Sequence, residues 1–181
     1  KRQDAFIEAA AMIRDAMPEA RFVIAGRDLF LEHAAWVAQL ERRAEQAGLS
    51  ESLQWVRKCE DIMEVLPAFD LLLHPALDEP FGRAVCEAMT AGVPVIAAAS
   101  GGLTQIIENN VSGVLVRDGD PRGMAEAALK LLRDREAAAR MSAAGKESVA
   151  ANFSSERVCS QLAAAYKDLL FSLSSPHSDD E

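Results

Sequence analysis

Residues 70 to 92 read DLLLHPALDEPFGRAVCEAMTAG and change character twice along their length. The run from Leu71 to Leu73 is short and apolar, and Pro75 stops it, so it predicts a buried strand. A loop that carries Glu79 follows, and apolar residues then recur at helical spacing from Phe81 to Gly92. The pattern therefore predicts a strand, a loop and a helix.

The start of this predicted helix is suited to bind a phosphate. The first N–H groups of a helix have no partner within it, and Gly82 has no side chain to block an anion. Glu79 precedes the helix and Glu87 lies near its second turn; as ionised carboxylates they suit the hydroxyl groups of a sugar or a ribose. Spacing alone favours a simpler interpretation, in which Glu87 forms a surface ion pair with Arg83 and Glu79 is a solvated loop charge.

The same residues resemble the signature of an enzyme family. The run EPFGRAVCEAM at 79 to 89 is followed by AGVPVI at 91 to 96 and by GGLTQII at 101 to 107. Together these runs resemble the retaining GT-B glycosyltransferases of family 4, or glycosyl transferases group 1, whose signature is two glutamates separated by seven residues. The resemblance extends from Lys1 to about Tyr166, and the combined pattern is more specific than one short motif.

The resemblance implies a donor site for a nucleoside diphosphate sugar. Glu87 would accept hydrogen bonds from the ribose, and Glu79 would meet the transferred sugar. The diphosphate would lie on the N–H groups at the start of the helix and on Lys1, while the loop with Arg57 and Lys58 would lie near the base. The residues expected to contact the donor are Lys1, Arg57, Lys58, Pro80, Phe81, Gly82, Arg83, Gly101 and Gly102. No metal or other cofactor is expected, because the donor is itself a substrate.

Several of these residues have simpler interpretations. Lys1 is equally well a solvated lysine, and Arg57 with Lys58 a solvated charge pair. His74 is more simply a packed or hydrogen-bonded histidine than a metal ligand or a base. The chain also departs from the family at three positions: Arg57 and Asp28 in place of a common glycine, and Gln105 in place of a common glutamate.

Composition bounds the possible functions. A length of 181 residues, with 50% hydrophobic and 26% charged residues, indicates one globular domain, expected over residues 1 to 171 with a disordered tail at 172 to 181. The formal net charge of -9 argues against nucleic acid or an anionic membrane surface as a partner. Since no long apolar span or metal-ligand cysteine spacing is present, we expect a reducing, cytoplasmic setting.

Further strands and helices alternate along the chain up to about residue 120, and only helices are indicated beyond it, with Ser154 placed to cap the last one. This order predicts an α/β fold, a Rossmann-like parallel sheet covered by helices on both faces, with a helical C-terminal segment. The resemblance places the family's first strand, central in such a sheet, upstream of Lys1. It also implies that an acceptor-binding N-terminal domain is missing from this chain.

The expected activity is transfer of a hexosyl-type sugar from a UDP- or GDP-sugar to an unknown acceptor, with retention of configuration. Because a GT-B enzyme reacts between two domains, we expect this chain alone to bind nucleotide weakly and to transfer nothing. A sugar-nucleotide epimerase or a phosphorylase of the same fold, and a noncatalytic scaffold derived from it, are the alternatives.

Overall fold

The structure, a computed structural model, describes residues 1 to 26 and 34 to 174, with side chains described up to residue 170. Asp28 and residues 175 to 181 lie outside the described residues. The strands are β1 (Phe22–Ala25), β2 (Leu53–Val56), β3 (Leu72–His74), β4 (Val95–Ala98) and β5 (Val114–Val116). The helices are α1 (Gln3–Ala16), α2 (Ala34–Gln46), α3 (Ile62–Val65), α4 (Arg83–Thr90), α5 (Leu103–Ile106), α6 (Pro121–Arg133), α7 (Arg135–Asn152) and α8 (Ser155–Ser174), with a 3-10 turn at Leu66–Ala68.

The strands form two parallel sheets, β1-β2 and β3-β4-β5, with β4 in the centre of the second. The predicted α/β fold with parallel pairing is therefore confirmed. Within the described residues, β1 pairs only with β2, and β3 pairs only with β4. The other edge of β1 and the other edge of β3 therefore have no strand partner among these residues.

Helices cover both faces of the sheets because the strand side chains alternate. Ile96 and Ala98 of β4 point into a core with α1 and α6, where Ile13 and Leu131 are buried. Val95 and Ala97 belong to the opposite core, which is formed largely by α4, α5 and α7 and includes the buried residues Val85, Met89, Leu103 and Val149. All four residues of β4 are buried, as expected for the central strand of a sheet covered on both faces.

The C-terminal helix α8 begins where the sequence predicts, since the Ser154 hydroxyl accepts a hydrogen bond from the Arg157 N–H at 3.3 Å. It continues through Ser174, so residues 172 to 174, which we assigned to the tail, are helical. Apolar side chains at helical spacing along it are exposed, with Val158 at 51% and Leu162 at 53%. Among the described residues, no helix is long and apolar enough to cross a membrane.

Candidate functional site

The loop between β3 and α4 carries Glu79 and is held in place by the turn that follows β4. The Asp78 N–H donates to the Ser100 hydroxyl at 2.9 Å, and the Gly102 N–H donates to the Glu79 carbonyl at 2.8 Å. Asp78 takes a left-handed conformation with φ 50°, which short polar side chains tolerate. The loop is thus fixed by contacts about twenty residues away along the chain.

Two glycines allow this close approach. A Cβ at Gly101 would lie 2.6 Å from the Glu79 carbonyl oxygen, and one at Gly102 would lie 2.4 Å from the Pro80 carbonyl oxygen. We expected both glycines to bind the donor, but the Gly102 N–H already donates to the Glu79 carbonyl. Among the described groups, the Gly101 N–H donates to no protein acceptor, so only this amide of the pair can face a ligand.

The Glu79 carboxylate is largely enclosed, with 12% of the side chain exposed. Its Oε2 atom accepts a hydrogen bond from the Lys1 ammonium and lies 3.5 Å from the His74 Nε2. The Lys1 hydrogen bond is the main cause that holds the pKa of Glu79 below its usual value, against burial, which raises it. The structure therefore brings together Lys1 and Glu79, two predicted site residues that are 78 positions apart.

His74 is a member of this cluster that the sequence analysis did not assign to the site. It is the last residue of β3, pairs in register with Ala97, and has 13% of its side chain exposed. Burial lowers its pKa, although the Glu79 carboxylate opposes that effect. Two features of the sequence could have assigned His74 to the site: it ends a predicted strand, and it lies five residues before Glu79.

The start of α4 presents free amides, as predicted. Gly82 is the residue before the helix and adopts a left-handed conformation with φ 98°. Within the described part of the chain, the N–H groups of Gly82, Arg83 and Ala84 donate to no protein acceptor, since the helical bonds begin with the Val85 N–H. An anion can therefore bind at this end of the helix.

The placement of Phe81 on the apolar stripe of the helix was wrong. Phe81 precedes α4, is 47% exposed, and packs edge-on against Phe153 at a ring separation of 5.8 Å. The left-handed Gly82 separates it from the helix and turns it away from the buried face. Its ring therefore lines the surface next to the loop instead of the core.

Glu87 lies on the first turns of α4 with 29% of its side chain exposed, and its Oε1 lies 3.2 Å from the Arg83 Nε. The simple surface pair considered for these two residues is thus present. Such a pair contributes about 0.2 to 0.5 kcal/mol, so a stronger ligand contact can readily replace it. The neighbouring Cys86 thiol has a pKa above its usual value because of its burial, with a smaller contribution from the Glu87 charge.

Arg57 and Lys58 follow β2 and pair with exposed carboxylates. Arg57 binds Glu41 at 2.5 Å, and Lys58 binds Glu60 at 2.7 Å. Lys58 also lines an open cleft of about 270 Å³ at the carboxyl ends of β1 and β2. The surface that lines this cleft is mostly apolar. The apolar walls of this cleft are formed by Val23, Ala25, Val56, Ile62, Val65 and Phe69.

The placement of the remaining site candidates completes the geometry. Pro80 and Arg83 lie on the exposed side of the loop and of the α4 start. Gln105 is exposed in α5, on the short helix that follows the Gly101-Gly102 turn. Across the described residues, no group of three or more His, Cys, Asp or Glu side chains is placed to hold a metal ion.

Comparison with known proteins gives this geometry a context. The family model described as glycosyl transferases group 1 matches residues 1 to 148. The D-inositol 3-phosphate glycosyltransferase of Stackebrandtia nassauensis is 32% identical over 178 residues, which cover 94% of this chain and 39% of that protein. The chain spans about a third to a half of the length of the curated relatives that it matches.

Solved structures show the same fold. Anabaena Alr3699/HepE, crystallised with UDP and glucose, superimposes with a TM-score of 0.85 and 27% identity, over 92% of this chain and 45% of that one. The C-terminal domain of the glycosyl transferase group 1 family protein LpcC from Francisella tularensis has a TM-score of 0.78 and 25% identity, over 86% of this chain and 80% of that one.

Proposed function

Because the chain belongs to the glycosyl transferases group 1 family, we propose that it is the donor-binding half of a hexosyltransferase and holds a nucleoside diphosphate sugar beside α4. The observation that carries this proposal is the cluster around the β3-α4 loop. There Glu79 and three unpaired amides lie on one loop and the helix that it leads into, and the Lys1 ammonium reaches Glu79 from the start of the chain. UDP is the first nucleotide to test, since the related Anabaena structure contains UDP and glucose.

The diphosphate would bind the amides of Gly82, Arg83 and Ala84 at the positive end of the helix dipole. Lys1, now paired with Glu79, would add a cation on the same side. During transfer, negative charge develops on the departing diphosphate, and preorganised donors of this kind stabilise it. Phe81 and Pro80 would form the surface next to the phosphates.

The two glutamates would contact the two sugar rings of the donor, the ribose and the transferred sugar. Glu87 would exchange its weak contact with Arg83 for the ribose hydroxyls, and Glu79 would accept hydrogen bonds from the transferred sugar. The base would lie towards the cleft that Lys58 lines, whose apolar walls suit a flat ring. Arg57, next to it, would leave Glu41 to contact the nucleotide.

The acceptor site would belong to an N-terminal domain outside this chain, since the matched part covers only a third to a half of the relatives' length. That domain would cover the cleft and position the acceptor next to the donor sugar. We propose that the transfer retains the configuration of the sugar and needs no metal. Val158 and Leu162, exposed on α8, would be suited to a contact with the N-terminal domain. We also propose that the reaction takes place in the cytoplasm.

The test is calorimetric titration of the chain with UDP, GDP and ADP, followed by the variant Glu87→Gln. Because a hydrogen bond to a charged group contributes about 1.5 to 3 kcal/mol, we expect Glu87→Gln to weaken binding of the preferred nucleotide by about 10- to 100-fold. Glu126→Gln is a matched control, since Glu126 pairs with Arg122 at the same spacing on α6. It should leave the affinity unchanged.

Other outcomes would contradict the proposal. No binding of any nucleotide would favour a noncatalytic scaffold, and equal effects of the two variants would remove Glu87 from the ribose site. Efficient sugar transfer by the chain alone would refute its assignment as half of an enzyme.

A further inference from the structure

His74 is held beside the first glutamate by the strand that ends there. We propose that His74 is a positioning residue, whose buried Nε2–H orients the Glu79 carboxylate towards the transferred sugar. This inference rests on the proposed function for the role of Glu79, and on the structure for the contact itself. It assigns to the histidine an action through Glu79, with no direct contact to the substrate.

The two side chains lie just beyond the distance of a normal hydrogen bond. The His74 Nε2 is sealed from solvent and lacks a hydrogen-bond partner among the described residues, and the Glu79 Oε2 lies 3.5 Å from it. Buried polar atoms in folded proteins nearly always have a partner. The Glu79 carboxylate is the acceptor that the structure places beside this nitrogen, so a small movement of either side chain would complete the bond.

Two side chains face the Glu79 Oε2 atom, and they differ in rigidity. Lys1 reaches it with a long side chain that is 64% exposed, whereas His74 is part of β3 and paired with β4. The proposed donor complex directs Lys1 towards the diphosphate. His74 then remains as the protein group that fixes the carboxylate, and groups held by a sheet set such geometry better than flexible ones.

The charges around the imidazole keep it neutral in this role. Burial lowers the pKa of His74 most, the Glu79 carboxylate raises it, and the Lys1 side chain lowers it further. At neutral pH the ring is uncharged, with one nitrogen as a donor. It can hold Glu79 without taking its charge away or moving a proton.

The contact can be tested without any ligand. Two-dimensional NMR of the imidazole nitrogens would report the tautomer and follow the titration of His74 in the wild type and in Glu79→Gln. We expect the Nε2–H tautomer and a further fall in the pKa of His74 in the variant, because the carboxylate that favours the charged ring is lost. A different tautomer, or a titration that Glu79→Gln does not move, would overturn the inference.

The role in binding is tested by comparing UDP with UDP-glucose. We expect Glu79→Gln and His74→Leu to lose the same affinity for UDP-glucose, about 2- to 10-fold for one hydrogen bond, while the affinity for UDP stays unchanged. His74→Gln keeps an N–H donor and should restore most of this loss. Arg122→Gln, on the surface of α6, serves as the control.

These two experiments separate the two proposals. If His74→Leu behaves as the wild type while Glu79→Gln loses affinity, or if His74→Gln rescues nothing, His74 does not position Glu79. If the chain binds no nucleotide, the proposed function fails, and the NMR titration still decides whether His74 and Glu79 are coupled. Spectra of each variant show whether the fold is retained.

Discussion

Replacing Gly102 with alanine tests whether the β3-α4 loop is held by backbone contact. Gly102 has φ −64° and ψ −16°, a helical conformation that alanine adopts without strain. By itself the change would stabilise the protein by about 0.4 to 1 kcal/mol, because it restricts the unfolded chain. Any loss of stability must therefore come from lack of space.

The structure shows that this space is missing. The new Cβ would lie 2.4 Å from the Pro80 carbonyl oxygen and 3.1 Å from the Phe81 Cα, and these backbone atoms cannot rotate away. Overpacking costs about 1 to 3 kcal/mol, and a clash with rigid backbone belongs to the upper part of that range, about 2 to 3 kcal/mol. After the gain from alanine, the net loss should be about 1 to 2.5 kcal/mol, which for a chain of this size corresponds to a fall in Tm of about 2 to 10 °C.

Gly123→Ala is the matched control. Its Cβ would lie 2.6 Å from the Asp120 Oδ2, which is the end of a side chain that can turn aside. The gain of about 1 kcal/mol from alanine in a helix then offsets the loss of the Asp120 cap, which is of similar size. Calorimetry should show little change in Tm for this variant.

The amide resonances of residues 78 to 81 give a second measurement for Gly102→Ala. We expect them to shift, because the loop has to move away from the added methyl group. If the variant melts at or above the wild-type temperature, the loop yields without cost, and the reasoning from close backbone contact is refuted.

Two further predictions concern stability. The Lys1 hydrogen bond lowers the pKa of Glu79 in the folded state, so its stabilisation is present above the ordinary value of 4.5 and is lost as the pH falls through the lowered pKa. Chemical unfolding between neutral and acidic pH should thus show a smaller acid-induced loss in Glu79→Gln than in the wild type; equal losses would contradict this. Leu131→Ala should cost about 2 to 5 kcal/mol because Leu131 is buried between α6 and the sheets. Leu162→Ala on the exposed face of α8 should change the unfolding free energy by less than about 0.5 kcal/mol, and a cost as large as that of Leu131→Ala would show that this face is covered.

The strands and helices were predictable because their signals are local. The apolar run before Pro75 overlaps β3, and the last helix begins beside Ser154, which was predicted to cap it. The start of α4 was predicted two residues too early, because the spacing of apolar residues does not show that Gly82 adopts a left-handed conformation. Phe81 was therefore placed on the apolar stripe of the helix, whereas its ring contacts Phe153, 72 residues further along the chain.

The residues of the candidate site could be predicted from the sequence, but the hydrogen bonds between them could not. The two glutamates and the glycines could be named from the motif alone. That the Gly102 amide is used by Glu79, or that Ser100 holds Asp78, depends on how the turn after β4 meets the loop after β3. Such contacts follow from the parallel register of the two strands, which the motif does not contain.

Local patterns of residues were thus enough to identify the family, the strand-loop-helix unit and the pair of carboxylates, because each depends on neighbours within one or two turns. Folding decided which groups meet: Lys1 and His74 at the Glu79 carboxylate, and a free row of amides at the start of α4. The physical reason is that the order of strands in a sheet sets distances between residues far apart in the chain. At those distances the Lys1 hydrogen bond lowers the pKa of Glu79, and burial lowers that of His74.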